Sequence, residues 1–232
     1  MAAFKSERVA AFKSESPAGF VGIRSISCLA ILPDDNCALS GSADGTLIFW
    51  DLAGNQAIGD PLHGHKKGVT CLELSTGGRH ALSGSWDGTL ILWDLERRIP
   101  IGNPLRGHER KISCIRILPD GCHALSGGWD GTLILWDLER RRPVGEPLRG
   151  HMSGIVCLEL MPDGRHAVSG SGDVGLDRSG EDLLILWDLE RGVKLCQLGL
   201  DAPVSCMAPI SSTSMLIGDV GGNIFTVEAI GI

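Results

Sequence analysis

The 232-residue sequence lacks tyrosine, any Cys-x-x-C pair and any apolar run of membrane-spanning length. Without Cys-x-x-C pairs a zinc site has no support in the sequence, and without a long apolar run no helix is expected to cross a membrane. The first twenty residues carry Lys, Arg and Glu throughout, so we do not expect a secretory signal peptide. Basic residues are outnumbered 21 to 28 by acidic ones, and the net charge of −7 argues against nucleic acid as the main partner.

Glycine and cysteine are plentiful instead. The 32 glycines indicate many tight turns, and hence short strands, while a hydrophobic content of 43% is enough for a packed core. The chain is too long and too apolar to depend on disulfides. We therefore expect the eight cysteines to be reduced thiols and the protein to be cytoplasmic. We expect no metal and no cofactor.

A repeat organises the sequence. Trp-Asp pairs begin at Trp50, Trp93, Trp136 and Trp187, spaced by 43, 43 and 51 residues. Gly-His pairs begin at Gly64, Gly107 and Gly150, and a cysteine recurs with the same 43-residue step at Cys28, Cys71, Cys114 and Cys157. Self-similarity at this period is typical of repeat architectures, in which each unit covers its neighbour's apolar face.

This pattern resembles the WD40-repeat family, and the resemblance covers roughly residues 20–228. It implies an all-β propeller of about five four-stranded blades. The expected organisation is an N-terminal tail or closing strand over residues 1–20, then a propeller over residues 21–232. The repeat units are approximately 21–63, 64–106, 107–149, 150–198 and 199–232.

The second unit shows how the strands are predicted. Val69–Leu74 and Thr89–Asp94 are apolar and rich in strand-forming residues, and the Asp-Gly pair before the latter is a hairpin signal. Ala81–Ser85 is a short strand between them. A weaker fourth strand is expected over Ile101–Leu105, where Pro104 suits a sheet edge.

His65, Ser83 and Asp87 have the residue types of a hydrolytic triad. The same spacing recurs as His108, Ser126 and Asp130, however, and a catalytic site is needed only once. The resemblance to WD40 proteins implies a structural network in each blade, in which Asp holds His, His holds Ser, and Ser meets a Trp indole. The predicted members are His65, Ser83, Asp87, Trp93, His108, Ser126, Asp130, Trp136, His151, Ser169, Asp173, Trp187, Ser40, Asp44 and Trp50.

The end units depart from this pattern. The first has Gly22 in place of the histidine, and the fifth has Val227 in place of the tryptophan and one strand too few. We expect Arg8–Lys13 to supply that strand and close a five-bladed ring, although a disordered tail or an amphipathic helix would also fit. Self-association is expected if the propeller is incomplete, because an unpaired edge invites pairing.

The resemblance also implies that partners dock on the face that carries the fourth-to-first and second-to-third strand loops. Trp86 and Trp129 lie there in adjacent units, and tryptophan is enriched in binding hot spots. Duplication of a near-identical unit is the alternative explanation for the pair. The candidate partner-binding residues are Trp86, Trp129, Lys66, Lys67, Arg110, Lys111, Asp177 and Arg178, the last two in an eight-residue insertion at 174–181. Cation–π contacts would suit an acidic or aromatic-rich peptide.

The predicted function is therefore a non-catalytic scaffold or sensor that binds a protein partner. One alternative is a small-ligand binder or enzyme that uses the central channel. Another is nucleic-acid binding through the arginine-rich turns at 97–98 and 140–142, which we otherwise expect to be solvated. Glu73, Arg116 and Glu159 occupy equivalent positions in three neighbouring units, so we predict an ion network between blades.

Overall fold

The computed structural model describes residues 25–172, 183–211 and 213–228. All regular structure in these residues is β-strand, arranged in five antiparallel sheets that follow one another in chain order. The predicted all-β architecture of propeller blades is therefore confirmed. The predicted closing strand Arg8–Lys13 and the insertion at 174–181 lie outside the described residues.

Each sheet is one blade. Blade 1 contains β1 (Ile26–Ile31), β2 (Cys37–Ser42), β3 (Leu47–Asp51) and β4 (Gln56–Ala57). Blade 2 contains β5 (Val69–Leu74), β6 (His80–Ser85), β7 (Thr89–Asp94), β8 (Ile99–Pro100) and β9 (Leu105–Arg106). Blade 3 contains β10 (Ile112–Ile117), β11 (His123–Gly128), β12 (Thr132–Asp137), β13 (Arg142–Pro143) and β14 (Leu148–Arg149). Blade 4 contains β15 (Ile155–Leu160), β16 (His166–Ser171), β17 (Leu183–Asp188) and β18 (Val193–Gly199), and blade 5 contains β19 (Val204–Pro209), β20 (Ser214–Asp219) and β21 (Ile224–Glu228).

The turn between the second and third strands follows the predicted chemistry. Gly45, Gly88 and Gly131 have φ angles of +91°, +75° and +75°, values that side chains with a Cβ rarely adopt. The aspartate just before each glycine accepts a hydrogen bond from the backbone of the residue just after it, at 3.0–3.1 Å. These turns fix the register of the hairpins and place Trp86 and Trp129 on one side of the molecule.

The predicted fourth strand of blade 2, Ile101–Leu105, is wrong in its bounds. The strand is two short pieces that both pair with β7, Ile99–Pro100 and Leu105–Arg106. The chain between the pieces carries Gly102 at φ +62° and Pro104, which has no N–H to donate to a sheet. Blade 3 repeats the split with β13 and β14 on β12.

The core consists of apolar clusters between neighbouring blades. β1 packs against β5, β5 against β10, β10 against β15 and β15 against β19. The cluster between the first two blades, for example, combines Leu39 and Leu47 of blade 1 with Val69 and Trp93 of blade 2. A blade has little core of its own, so each depends on the blade beside it.

The end blades do not meet in the same way. Within the described residues, β1 and β19 share no packing comparable to that of consecutive first strands. Ile26 and Leu29 of β1 are 51% and 59% exposed, and Ile224 of β21 is 73% exposed. The closed five-bladed ring stays a prediction, because the expected closing strand Arg8–Lys13 lies outside the described residues.

Candidate interaction surface

The third blade shows the network of His, Ser, Asp and Trp most completely. His108 Nε2 lies 2.7 Å from Ser126 Oγ, and Trp136 Nε1 donates to the same oxygen at 2.8 Å. His108 Nδ1 lies 3.0 Å from Asp130 Oδ2. His108, Ser126 and Trp136 are all buried, and the ring of His108 has both nitrogens occupied. A buried chain of this kind stabilises because every member has a partner.

The second blade repeats this arrangement more loosely. His65 Nε2 lies 2.7 Å from Ser83 Oγ, which also accepts from Trp93 Nε1 at 2.8 Å. His65 Nδ1 is 3.6 Å from Asp87 Oδ2, which is beyond a hydrogen bond. In both blades the serine hydroxyl accepts a hydrogen bond from an indole and lies at the buried end of the network. This position suits a structural group better than a nucleophile.

Sequence reasoning missed a fifth member, the threonine two residues after the aspartate. Thr89 Oγ1 donates to Asp87 Oδ1 at 2.6 Å, and Thr132 Oγ1 donates to Asp130 Oδ1 at 2.7 Å. Thr46 does the same with Asp44 at 2.7 Å in blade 1. The 43-residue recurrence of Asp-Gly-Thr was the available signal.

Blades 1 and 4 hold parts of the network. Trp50 Nε1 donates to Ser40 Oγ at 2.7 Å in blade 1. In blade 4, His151 Nε2 lies 2.6 Å from Ser169 Oγ, and Trp187 Nε1 donates to that oxygen at 2.8 Å. Among the described residues, nothing accepts a hydrogen bond from the buried His151 Nδ1. The predicted partner Asp173 and the candidate binding residues Asp177 and Arg178 lie outside the described residues.

Burial sets the protonation of these groups. Burial lowers the pKa of His65, although Asp87 opposes the change, and burial lowers the pKa of His151 to about 4. Burial alone would raise the pKa of Asp130, but hydrogen bonds from His108 and Thr132 outweigh it and hold that pKa well below its usual value. The aspartates thus stay ionised as acceptors near neutral pH, and His65 and His151 stay uncharged.

On the loop side of blades 2 and 3, Trp86, Lys111 and Trp129 form one cluster, which we call the Trp–Lys patch. Lys111 Nζ lies 3.9 Å from the centre of the Trp86 ring and 3.3 Å from the centre of the Trp129 ring. The two rings are 6.5 Å apart and inclined at 44°. Trp86 is 53% exposed, whereas Trp129 and Lys111 are half-buried. The ammonium group is therefore held between two indole faces at cation–π distance.

Two neighbouring loops place the other basic candidates near these turns. Lys66 and Lys67 are exposed, and their backbone is fixed by a hydrogen bond from Lys66 N to Asp87 at 2.8 Å and one from Ser85 Oγ to the Lys67 carbonyl at 3.0 Å. Arg110 is exposed, and its carbonyl is close to Gly88 in the turn after Trp86. The backbone of these basic residues is thus fixed against the turns that follow Trp86, while their side chains are exposed.

The position of Lys111 in the repeat explains why the patch occurs only once in the described residues. The equivalent residues in the other blades are Ser25, Gly68, Gly154 and Pro203. The residues equivalent to Trp86 and Trp129 are likewise small or aliphatic: Ala43, Gly172 and Val220. Lysine and tryptophan therefore depart from the repeat at neighbouring positions. The departures are visible in the sequence, but the contact of Lys111 with the two tryptophans depends on how closely two adjacent blades pack.

The predicted ion network between blades is confirmed. Arg116 pairs through two guanidinium nitrogens with both carboxylate oxygens of Glu159, and its Nη1 lies 3.6 Å from Glu73 Oε2. The hydrogen bonds to Glu159 raise the pKa of Arg116, and burial raises the pKa of Glu73 although Arg116 opposes the change. The charges occupy three first strands and bind them to one another.

The expectation that all the turn arginines are solvated is wrong for Arg98 and Arg141. Arg98 Nη1 donates to the Ile58 carbonyl of the preceding blade at 3.0 Å and stacks 4.8 Å from the Phe49 ring centre. Arg141 Nη2 donates to the Asn103 carbonyl of its preceding blade at 2.5 Å. These contacts join neighbouring blades and leave fewer free cations for the nucleic-acid alternative.

The cysteines are all free, with no disulfide between them. Burial raises the pKa of Cys114 to about 11, so this thiol is unreactive near neutral pH. In the part of the chain that is described, no cluster of His, Cys, Asp or Glu has the arrangement of a metal site. The described residues also contain no helix that could span a membrane.

The chain belongs to the WD40 family. The family model described as "WD domain, G-beta repeat" matches residues 20–51, 58–94, 100–137 and 141–173, which is more than half of the chain. No curated protein matches the sequence significantly.

Among solved structures, the "Structure of U3-55K" is similar with a TM-score of 0.72 and 19% sequence identity. The match covers 90% of this chain and 62% of that one, so the chain spans less than two thirds of its structural neighbour. At this identity the likeness shows the fold alone.

Proposed function

We propose that the protein is a non-catalytic interaction scaffold and that a protein partner binds the Trp–Lys patch. WD40 propellers generally bind protein partners and are typically non-catalytic, which supports the general role. The observation that carries the specific proposal is the position of Lys111 Nζ between the two indole rings, 3.9 and 3.3 Å from their centres.

The exposed tryptophan is the first support for this surface. Trp86 leaves 53% of its surface in solvent, whereas the buried network tryptophans Trp93 and Trp136 are 0% and 1% exposed. When a partner covers an exposed indole, apolar surface is removed from water, which favours binding. Tryptophans at rigid positions are frequent hot spots. The backbone N–H of Trp86 donates a hydrogen bond to the Gly68 carbonyl at 2.9 Å, so the residue is already ordered and would lose little conformational entropy on binding.

The charge of the patch defines the chemistry of the partner. Burial lowers the pKa of Lys111, yet the cation has no carboxylate within ion-pairing distance among the described residues. Lys66, Lys67 and Arg110 extend the positive surface around it. A peptide carboxylate that reaches Lys111 would accept a charge-assisted hydrogen bond from the ammonium group, which already lies beside two indole rings. An acidic peptide with a neighbouring aromatic residue fits this surface best.

The test is the binding of a labelled glutamate-rich peptide that contains one aromatic residue, measured by fluorescence anisotropy. We expect Lys111→Met, and separately Trp86→Ala with Trp129→Ala, to weaken binding by about tenfold or more, since each removes a main contact. Lys194→Met and Val220→Ala serve as matched controls, because both residues are exposed and lie in blades 4 and 5. A lysine-rich peptide of the same length should not bind.

Circular dichroism would show that each variant is folded, and Trp86→Ala alone replaces the double variant if half-buried Trp129 proves necessary for folding. Equal affinity of wild type and Lys111→Met would contradict the proposal. Equal binding of the acidic and the basic peptide would contradict it too.

A further inference from the structure

Four interfaces between consecutive blades share one contact. The first residue of the first strand inserts its side chain against a glycine in the second strand of the preceding blade. The four residue pairs are Val69 with Gly41, Ile112 with Gly84, Ile155 with Gly127 and Val204 with Gly170. A Cβ on any of these glycines would lie only 2.6–3.0 Å from the inserted side chain. Each interface therefore consists of an aliphatic plug and a glycine socket.

A hydroxyl group adds a directional bond at three of these interfaces. Thr70 Oγ1 donates to the Ile112 carbonyl, and Ser113 Oγ donates to the Ile155 carbonyl, both at 2.5 Å. Ser27 Oγ makes the equivalent bond to the Val69 carbonyl. The acceptor in each case is the backbone of the plug residue, so the plug is fixed by its side chain and by its main chain.

Blade 1 carries a plug that the described residues leave in solvent. Ile26 occupies the plug position and is 51% exposed, whereas its four equivalents are 0–2% exposed. Leu29 is 59% exposed, whereas the equivalent Ile115 and Leu158 are each 1% exposed. The difference does not come from residue type, because isoleucine also fills two of the four internal plug positions. The described residues contain no blade that packs on this face of β1.

Blade 5 carries the matching socket, also in solvent. A Cβ on Gly218 would meet only side chains of its own blade, Cys206 and Ser205. Leu216 beside it is 39% exposed, whereas the equivalent Leu39, Leu82 and Leu125 are 0% exposed. Ile224 is 73% exposed, whereas the equivalent Leu47, Leu90, Leu133 and Leu184 are 0–4% exposed.

Ser205 stands where Ser27, Thr70 and Ser113 stand in their blades. Its hydroxyl donates to the Gly218 carbonyl at 3.0 Å, as Ser113 does to Gly127 at 3.0 Å. What the described residues do not provide is the second acceptor, the carbonyl of a following plug residue. The fifth blade is thus prepared for a sixth first strand.

We propose that copies of this protein join head to tail, with the plug of one copy in the socket of the next. Ile26 and Leu29 of one copy would pack on Leu216, Gly218 and Ile224 of its neighbour, and Ser205 would donate to the Ile26 carbonyl. A second copy is the occupant that the structure favours because each chain carries both halves of an interface that it already forms four times within itself.

Charge is compatible with this contact. The internal first strands of blades 2 to 4 carry Glu73, Arg116 and Glu159, which are paired with one another. The equivalent residues in the end blades are Ala30 and Ala208. At this position, joining the ends would therefore bring no unpaired charge into the interface, where it would carry a desolvation cost. Because the two surfaces differ, the contact is heterologous and gives a ring or an open chain of copies.

The test uses two single variants of the full chain, Ile26→Asp with a blocked plug and Leu216→Asp with a blocked socket. Sedimentation velocity on wild type should show a mass that rises with protein concentration. Each variant alone should be monomeric, and an equimolar mixture should form a dimer, because one variant keeps a working socket and the other keeps a working plug. Ile99→Asp, at a residue 50% exposed on the outer strand β8, is the matched control and should behave as wild type.

Ile224→Asp provides a second blocked socket if Leu216→Asp fails to fold. A wild-type chain that stays monomeric at every concentration would overturn the proposal, since other parts of the same chain would then cover both faces. Variants that still assemble alone, or a mixture that stays monomeric, would overturn it as well.

Discussion

Blades 3 and 5 share the order of their first three strands but differ in what surrounds them. Ile115 in the first strand of blade 3 is 1% exposed between two neighbours, and the aliphatic residues Leu216 and Ile224 of blade 5 are 39% and 73% exposed with only one neighbour. Blade 3 also holds a complete network, whereas blade 5 places Ile217 and Val227 where the serine and tryptophan would be. The comparison teaches that the position of a blade in the row, as well as its sequence, decides how far its apolar residues are buried.

The largest expected effect is a decrease in the free energy of unfolding at low pH, caused by the buried histidine of blade 4. Blade 5 contains no histidine and does not contribute to this decrease. The folded pKa of His151 is about 4 and its ordinary value is 6.5, so the unfolded chain binds the proton first as the pH falls. The free energy of unfolding should therefore decrease between pH 6.5 and about 4, by about 3 kcal/mol from this group. Urea unfolding across this range measures it, and His151→Gln should flatten the slope. An equally steep slope in that variant would argue against burial of a neutral His151.

Replacement of the network serine should lower the free energy of unfolding more in a blade with a complete network than in a blade with a partial one. Ser126→Ala leaves the Trp136 indole and His108 Nε2 without their partner in a buried site, which should cost about 2.5 kcal/mol. Ser40→Ala is the matched change in blade 1, where Trp50 is half-buried, and should cost about 1 kcal/mol. Denaturant unfolding of the two variants gives the difference. Equal losses would mean that the networks contribute the same in both blades.

Alanine substitutions at the glycine sockets should destabilise an interface between two blades more than the exposed face of the last blade. A Cβ at Gly127 would lie 2.7 Å from Cys114 Sγ and 2.8 Å from the Ile155 side chain of the next blade. Gly127→Ala should therefore destabilise by about 2 kcal/mol through overpacking. At Gly218 the added Cβ meets only exposed side chains of its own blade, so Gly218→Ala should cost less than about 1 kcal/mol. Thermal unfolding of dilute protein compares them, and a larger loss at Gly218 would reverse the ranking of the two interfaces.

The smallest effect is expected at the solvated turn pairs. Arg97 binds Asp94 at 2.8 Å, but the arginine side chain is 70% exposed, so Arg97→Ala should leave the free energy of unfolding nearly unchanged. Arg98→Ala, one residue away, removes a contact to the preceding blade and should cost more. Chemical denaturation of both variants provides the check, and a larger loss for Arg97→Ala would contradict this division of roles.

The sequence was sufficient for the features that repeat. The 43-residue step predicted the blades and the Asp-Gly turns, because each is set by local residues, whereas the members of the network were implied by the resemblance to WD40 proteins. The split fourth strand was missed since it depends on the positive φ of Gly102. The contact of Lys111 with Trp86 and Trp129 joins two blades, and its geometry follows from their packing distance, which no local pattern records. The roles of Arg98 and Arg141 were missed for the same reason.

The most direct test of the central claim, that contacts between blades decide stability and that both ends are open interfaces, is hydrogen–deuterium exchange at two protein concentrations. In dilute protein we predict slow exchange throughout β10–β12 and much faster exchange in β1 and β21. At high concentration β1 and β21 should become protected while β10–β12 change little. Uniform protection of all five blades at both concentrations would contradict the account, because it would mean that the end faces are already covered within a single chain.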